Sequence, residues 1–452
     1  MLVGLVTVGV LTRVLSPDAF GSYTTALAVL QFFGVIVDFG LTLTYVVMLS
    51  ESGRDESRVT SAFVSLRLLS GVVVFTVAPL VTLALPYSNT IRAAVAVGAV
   101  GYVCMAAATM LVGLFQKHAV IWRASLAELT NRVALLALIA IFALFHAGPV
   151  AMLVAVTLAN ILWLVVTYFL ARPYVRMRPT LDTTIWKDAV THSWPIALSI
   201  FFNLIYLRGD ILLISLLRPQ TDVAIYGVAY KLIDVLTALP VMFMGLLLPP
   251  LVAAWSTKDV TGFHARLSST FDLFALLCIP IVVGTQVVSV PLIQLIAGAQ
   301  YDDSGLLMRV LGLALIPVFF GALYGHAVVA VGRQKQMMWG YAGTAILSVI
   351  AYLIVIPRAG IYGAAWVTIV SETIVALLTF CVVYASSRAL PSLRVTMKAL
   401  VASLVMYLTL RALPAWPVLV AVTVGAGVYI GMLFALRAIT LEKLRALLPS
   451  RV

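Results

Sequence analysis

Fourteen apolar segments, most of them near the ~20 residues a helix needs to cross a bilayer, divide this chain from end to end. They are 1–15, 20–49, 60–85, 91–115, 119–145, 149–171, 193–217, 223–254, 268–297, 305–331, 336–356, 361–386, 397–412 and 416–436. Of the 452 residues, 63% are hydrophobic and 10% charged, against roughly 45–50% and about 25% in a soluble domain. One water-soluble core cannot hide that much apolar surface, so lipid is the solvent for most of it. Backbone groups in lipid must be paired within their own segment. The expected fold is therefore an all-α polytopic membrane protein with about 14 transmembrane helices. The first segment is short by about three to six residues, which points to a start further upstream or to a helix cut short. No cleavable signal peptide is visible.

The net charge is +12. Placing the N-terminus in the cytoplasm puts nineteen of the 29 Lys and Arg on inside loops and the tail, Lys443, Arg445 and Arg451 among them, and six at outside ends. That asymmetry follows the positive-inside rule and predicts both termini cytoplasmic, with an even number of spans. The basic charge is thus read as orientation against anionic lipid. No Lys/Arg run interleaved with aromatics suggests a nucleic-acid partner. The longest polar stretches divide the chain into a six-span lobe over 1–171, a cytoplasmic linker over 172–192 and a second six-span lobe over 193–386. The last two spans and the tail follow over 387–452.

A weak internal repeat supports two such halves. Ser16-Pro17-Asp18-Ala19-Phe20-Gly21-Ser22-Tyr23 and Arg218-Pro219-Gln220-Thr221-Asp222-Val223-Ala224-Ile225-Tyr226 each open a short outside turn with Pro and enter the next helix with Tyr. Gly360-Ile361-Tyr362-Gly363-Ala364-Ala365 faintly echoes Gly148-Pro149-Val150-Ala151. Parallel halves are a transporter architecture, with substrate held near the midplane.

Ionisable groups inside spans are expensive in lipid, about 2.5–3.5 kcal/mol each on insertion scales, so they need a partner or water. The cations are Arg67, Arg132, Arg208 and Lys231, and the acids are Asp38, Glu128, Asp210, Asp234, Asp272 and Glu372. Asp38 and Arg67 fall at comparable depth on either side of the turn near Arg54. Glu128 and Arg132 are i,i+4 and can pair on one helix face. Asp210 and Lys231 lie ten and eleven residues from Gln220, and Arg208 and Asp234 twelve and fourteen, at similar depths for a rise of ~1.5 Å per residue. Two uses fit these groups. They hold helices together as neutralised pairs, or they line a polar cavity. In a cavity the cations attract an anionic headgroup, with Arg matching phosphate oxygens bidentately, and an acid takes a coupling H⁺ or Na⁺.

No P-loop, GxSxG or HExxH motif is present. The five histidines are scattered, and Cys104, Cys278 and Cys381 sit in apolar runs without metal spacing. No organic cofactor or metal is expected. Outside loops are short, and Asp302-Asp303 reads as a solvated turn, so an integral-membrane glycosyltransferase or polymerase is disfavoured.

Several soft motifs together carry a family resemblance. They are Arg13-Val14-Leu15-Ser16-Pro17-Asp18-Ala19-Phe20-Gly21-Ser22-Tyr23, Asp38-Phe39-Gly40-Leu41, Gly209-Asp210-Ile211-Leu212-Leu213-Ile214, Ala224-Ile225-Tyr226-Gly227-Val228-Ala229-Tyr230-Lys231-Leu232 and Gly360-Ile361-Tyr362-Gly363-Ala364-Ala365. Spread over the first 370 residues, they make the chain resemble the Wzx-like polysaccharide flippases of the multidrug/oligosaccharidyl-lipid/polysaccharide exporter (MOP) superfamily, which also holds the MATE exporters. The resemblance implies a V-shaped, two-lobed bundle plus two C-terminal helices in the bacterial cytoplasmic membrane. By alternating access it would move an undecaprenyl-diphosphate-linked oligosaccharide between leaflets. It would work beside the polymerase and glycosyltransferases of a surface-polysaccharide pathway. Arg67, Arg132, Arg208 and Lys231 are where the headgroup would meet positive charge, although each has an acid near it in sequence or depth. An ion-coupled multidrug exporter and a lipid II flippase are the alternatives within the superfamily.

Overall fold

Polar caps set where the helices begin. In a computed structural model, which describes residues 2–51, 53–178, 180–412 and 417–438, Ser16, Asp55, Ser88, Asp182 and Asp259 each accept a hydrogen bond from a first-turn N–H of the helix that follows. Such caps satisfy donors that no helical carbonyl can reach. The helices are α1 (Leu2–Val14), α2 (Pro17–Asp38), α3 (Leu41–Ser50), α4 (Glu56–Ala84), α5 (Asn89–Lys117), α6 (Ile121–Leu144), α7 (Pro149–Ala171), α8 (Thr183–Leu217), α9 (Gln220–Ser256), α10 (Val260–Ala297), α11 (Asp302–Gly312), α12 (Leu315–Ala330), α13 (Gln334–Ser387), α14 (Arg394–Ala412) and α15 (Val418–Ala435). Among the described residues there is no strand.

Ten of these helical stretches are long and apolar enough to cross a membrane, eleven if the bent pair α11–α12 is one span. That pair turns by 44° at its break, within the single apolar segment 305–331. α2 and α3 count as one span broken in the middle, because Phe39 and Gly40 adopt left-handed backbone (φ +42° and +70°). α13, with 54 residues, would be about 81 Å long if straight. Gly360, at φ +58° and ψ −146°, interrupts it and makes two crossings. With the short α1 and with α8, these stretches agree with about fourteen spans. The tail carrying Lys443, Arg445 and Arg451 lies outside the described residues.

The chain forms two compact units. The first is residues 1–227 with 345–361, and the second is residues 228–344 with the chain from Tyr362 onward. In the first, α5 is the central helix. A Cβ on Gly101 would sit 2.6 Å from Cα of Thr157 on α7, and the Thr157 hydroxyl donates to the Val97 carbonyl at 3.0 Å. Small residues let two backbones approach this closely where lipid supplies no hydrophobic drive between helices. In the second unit, α10 is the platform on which α14 and α15 pack. The Tyr429 hydroxyl donates to the Leu276 carbonyl at 2.8 Å, within a cluster containing Met406, Leu410 and Leu433.

The polar stretch after α7 is strapped to α4. Backbone N–H groups of Arg176, Arg178 and Thr180 donate to the hydroxyls of Ser57, Ser61 and Ser65 at 3.1, 3.0 and 3.1 Å. The register has a geometric cause. Two extended residues advance ~6.6 Å, and four helical residues advance ~6.0 Å. A serine every fourth position on α4 therefore meets the N–H of every second residue of the strap. Beyond it, α8 begins at Thr183, ten residues earlier than the apolar pattern suggested, because Asp182 caps it. Asp182 also pairs with Arg58 at 2.7 Å. The Arg58 guanidinium and the Ile185 N–H hold its carboxyl below the usual carboxylate range. The Trp186 indole N–H donates to the Ala62 carbonyl at 2.8 Å. Ser61→Ala removes the acceptor for the Arg178 N–H and is expected to destabilise by about 1–2 kcal/mol. A thermal melt in detergent measures it.

Candidate functional site

Arg67, on α4, is 3% exposed, and each of its guanidinium nitrogens has a protein oxygen. Nη2 reaches Asp38 Oδ1 at 2.6 Å, Nη1 the Val37 carbonyl at 2.8 Å and Nε the Ala106 carbonyl at 3.1 Å. The second of these contacts is explained by the backbone. The helix stops at Asp38, so carbonyls in its last turn lose their helical donors, and Arg67 supplies one instead. Asp38 also accepts from the Thr42 hydroxyl at 2.5 Å. The structure thus brings Asp38 and Arg67 together at the break between α2 and α3. Thr42 is a partner that sequence reasoning missed, although its i,i+4 spacing from Asp38 could have suggested it.

Glu128 and Arg132 also meet, with Arg132 Nη2 at 2.5 Å and Nε at 3.0 Å from one carboxylate oxygen. Both side chains remain more than two-fifths exposed, so this pair stands on an open face of α6 and not in its packing.

Asp210 on α8 is fully buried. It accepts the Tyr226 hydroxyl at 2.7 Å and the Ile211 N–H at 2.8 Å. Tyr226 is a second missed partner. Its position at the start of α9, opposite the end of α8 in a tight hairpin, is what makes the contact possible. Arg208 lines a small cavity with Ala28, Gln31 and Phe32 of α2. In the second unit, Lys231 is exposed, Asp234 and Asp272 are half-buried, and Glu372 is buried.

The two similar turns meet within the first unit. Gly21 of α2 lies so close to the start of α9 that a Cβ on it would stand 1.8 Å from the Gln220 carbonyl oxygen. The Thr25 hydroxyl donates to Gln220 Oε1 at 2.6 Å. Gly227 packs on Thr24. Tyr87, after α4, shares a 2.8 Å hydrogen bond with Ser215 of α8. Arg218 pairs with Asp222 at 2.7 Å and lies against Gly360. This end of the unit is closely sealed.

The helical break pinned by charge, the paired turns and the two C-terminal helices on α10 are features to set beside known proteins. The model of the family described as "Polysaccharide biosynthesis protein" matches residues 10–306. The chain belongs to this polysaccharide biosynthesis family. No curated protein matches it in sequence. Among solved structures it is similar to "Lipid II flippase MurJ, inward closed conformation". That likeness is at 12% identity, covers 96% of each chain and has a TM-score of 0.81. It is also similar to an inward-facing multidrug resistance MATE family transporter of the MOP superfamily, at 14% identity over 86% of this chain and 94% of that one, TM-score 0.65. An outward-facing MATE structure matches at 17% identity over 86% and 92%, TM-score 0.57. At these identities the likeness is one of fold. The helical fold agrees with the resemblance that the motifs carry, and the family match is to polysaccharide biosynthesis. The chain's apolar helices make it a multi-pass membrane protein.

Proposed function

We propose that this protein flips an undecaprenyl-diphosphate-linked oligosaccharide across the bacterial cytoplasmic membrane by alternating access, in the making of a surface polysaccharide. The family match carries the reading, and the cations held within membrane-spanning helices support it. A diphosphate headgroup crossing a low-dielectric interior needs positive charge along its path. Arg132, Arg208 and Lys231 are assigned that role. Arg67 is assigned to the α2–α3 break, since its nitrogens are already engaged. A coupling H⁺ or Na⁺ is assigned to one of Asp38, Asp210, Asp234 and Asp272. In this reading the lobes are 1–171 and 193–386, both termini are cytoplasmic, and the end where Gly21 meets Gln220 faces outward. The pathway's polymerase and glycosyltransferases are its functional neighbours.

Deleting the gene is expected to leave the lipid-linked repeat unit on the inner leaflet and to abolish the surface polymer. Unchanged polymer, with new sensitivity to drugs, would instead favour the multidrug-exporter alternative, and failure of peptidoglycan precursor export would favour a lipid II flippase. Arg208→Ala and Lys231→Ala are each expected to lower complementation about tenfold, the size of one lost charge-assisted hydrogen bond of ~1.5–3 kcal/mol. Arg411→Ala, near the end of α14, is expected to retain activity. Equal activity of all three variants refutes the assignment of Arg208 and Lys231.

A further inference from the structure

The serine-bonded strap roofs a cavity that the flipping mechanism does not use. Its volume is about 420 Å³, within the ~300–1,000 Å³ of small-molecule sites. Leu68 of α4, Leu111 of α5 and Val165 and Phe169 of α7 give it apolar walls, and the strap contributes Met177 and Arg178. Val165 and Phe169 are exposed, so the cavity opens sideways, where these helices meet lipid.

Arg178 departs from the apolar walls. Its backbone N–H is fixed by Ser61, its side chain is exposed, and among the described residues no acid is paired with it. Arg172 lies over the Phe169 ring at 5.9 Å and Arg58 pairs with Asp182, while Arg176, also exposed on the strap, does not line the cavity, so Arg178 is the guanidinium at its wall. An apolar slot beside one uncommitted guanidinium, at the edge of a membrane-spanning bundle, has the chemistry of a hydrocarbon chain attached to a phosphate.

We propose that this cavity binds one acyl chain of an anionic glycerophospholipid, with its phosphodiester at Arg178. A single guanidinium complements a single phosphodiester charge, whereas a diphosphate-sugar headgroup would leave charge uncompensated. The site therefore holds a structural lipid and is separate from the transported substrate. Ser57, Ser61 and Ser65 act as positioning residues, since they hold the strap over the slot.

The test uses the full-length protein in nanodiscs of mixed phosphatidylglycerol and phosphatidylcholine, with retained lipid read by native mass spectrometry. Wild type is expected to retain one phosphatidylglycerol in preference to phosphatidylcholine. Arg178→Gln is expected to reduce that preference about tenfold. Val165→Trp, at the exposed rim, is expected to reduce retention of both lipids by filling the slot. Both positions are exposed, so folding is preserved, and an unchanged melting midpoint verifies it. Equal retention of the two lipids by wild type, or retention unaffected by either substitution, overturns the proposal. Displacement of the lipid by undecaprenyl phosphate at equal concentration overturns it as well, because the slot would then belong to the substrate. Retention is measured without transport, so it stands or falls independently of the flipping reading.

Discussion

Gly21→Ala is expected to break the contact between α2 and the start of α9 and, in the proposed reading, transport with it. The new methyl would stand 1.8 Å from the Gln220 carbonyl oxygen, and a backbone atom cannot rotate aside as a side chain can. Overpacking of this kind typically costs 1–3 kcal/mol, and more where the neighbour is rigid. Each 1.4 kcal/mol is a factor of ten in an equilibrium, so molecules that make this contact should fall about tenfold to a hundredfold relative to those that do not. Thr24→Cys with Gly227→Cys reads this population directly. A Cβ at position 227 lies 3.8 Å from Cβ of Thr24, close to the mean disulfide separation of about 3.8 Å. Cys104, Cys278 and Cys381 are first replaced by Ala. Cross-linking is expected to be efficient without further change, to collapse with Gly21→Ala, and to persist with Gly427→Ala, whose methyl meets nothing within 4 Å. Surface-polymer complementation should fail in the same variant. Undiminished cross-linking in Gly21→Ala would mean that α2 and the start of α9 need no such contact.

The spans were legible in the sequence because lipid imposes one simple demand, an apolar stretch of fixed length with its backbone paired internally. The breaks within spans were less legible, since hydropathy is blind to backbone geometry. Nothing in the apolar character of residues 20–49 reveals that Phe39 takes a positive φ, whereas the turn at Gly360 was legible because it separates the apolar segments 336–356 and 361–386. Local charge pairs followed from spacing, as for Glu128 and Arg132, because helix periodicity fixes them. Partners across a hairpin or a break did not. Tyr226 on Asp210 depends on how two helix ends meet, and the serine ladder under Arg176, Arg178 and Thr180 depends on a non-helical segment lying along a helix. Ser57, Ser61 and Ser65 stand at every fourth position, but that spacing does not say what lies along them.

Arg67→Leu is expected to destabilise the protein by about 2–3 kcal/mol, below the cost of breaking a fully buried pair, because the Asp38 side chain left behind is 25% exposed. Asp38 would keep only the Thr42 hydroxyl, and the carbonyls of Val37 and Ala106 would lose a donor. The break between α2 and α3 would then lack what holds it. Arg67→Lys keeps the charge but not the three-way fork, so it should still lower the melting midpoint in detergent, by less than Leu does. Asp38→Asn combined with Arg67→Gln removes both charges together and should recover part of the loss, with a coupling energy in the double-mutant cycle. A residue whose work was to meet a phosphate would behave differently. Its substitution would abolish transport at an unchanged melting midpoint, and removing Asp38 would strengthen ligand binding. Arg208→Lys supplies the contrast, since it is expected to alter transport more than stability. A midpoint unmoved by Arg67→Leu, with transport lost, would return Arg67 to the headgroup path. A midpoint that falls in step with the number of nitrogens removed means that this cation serves the helix break.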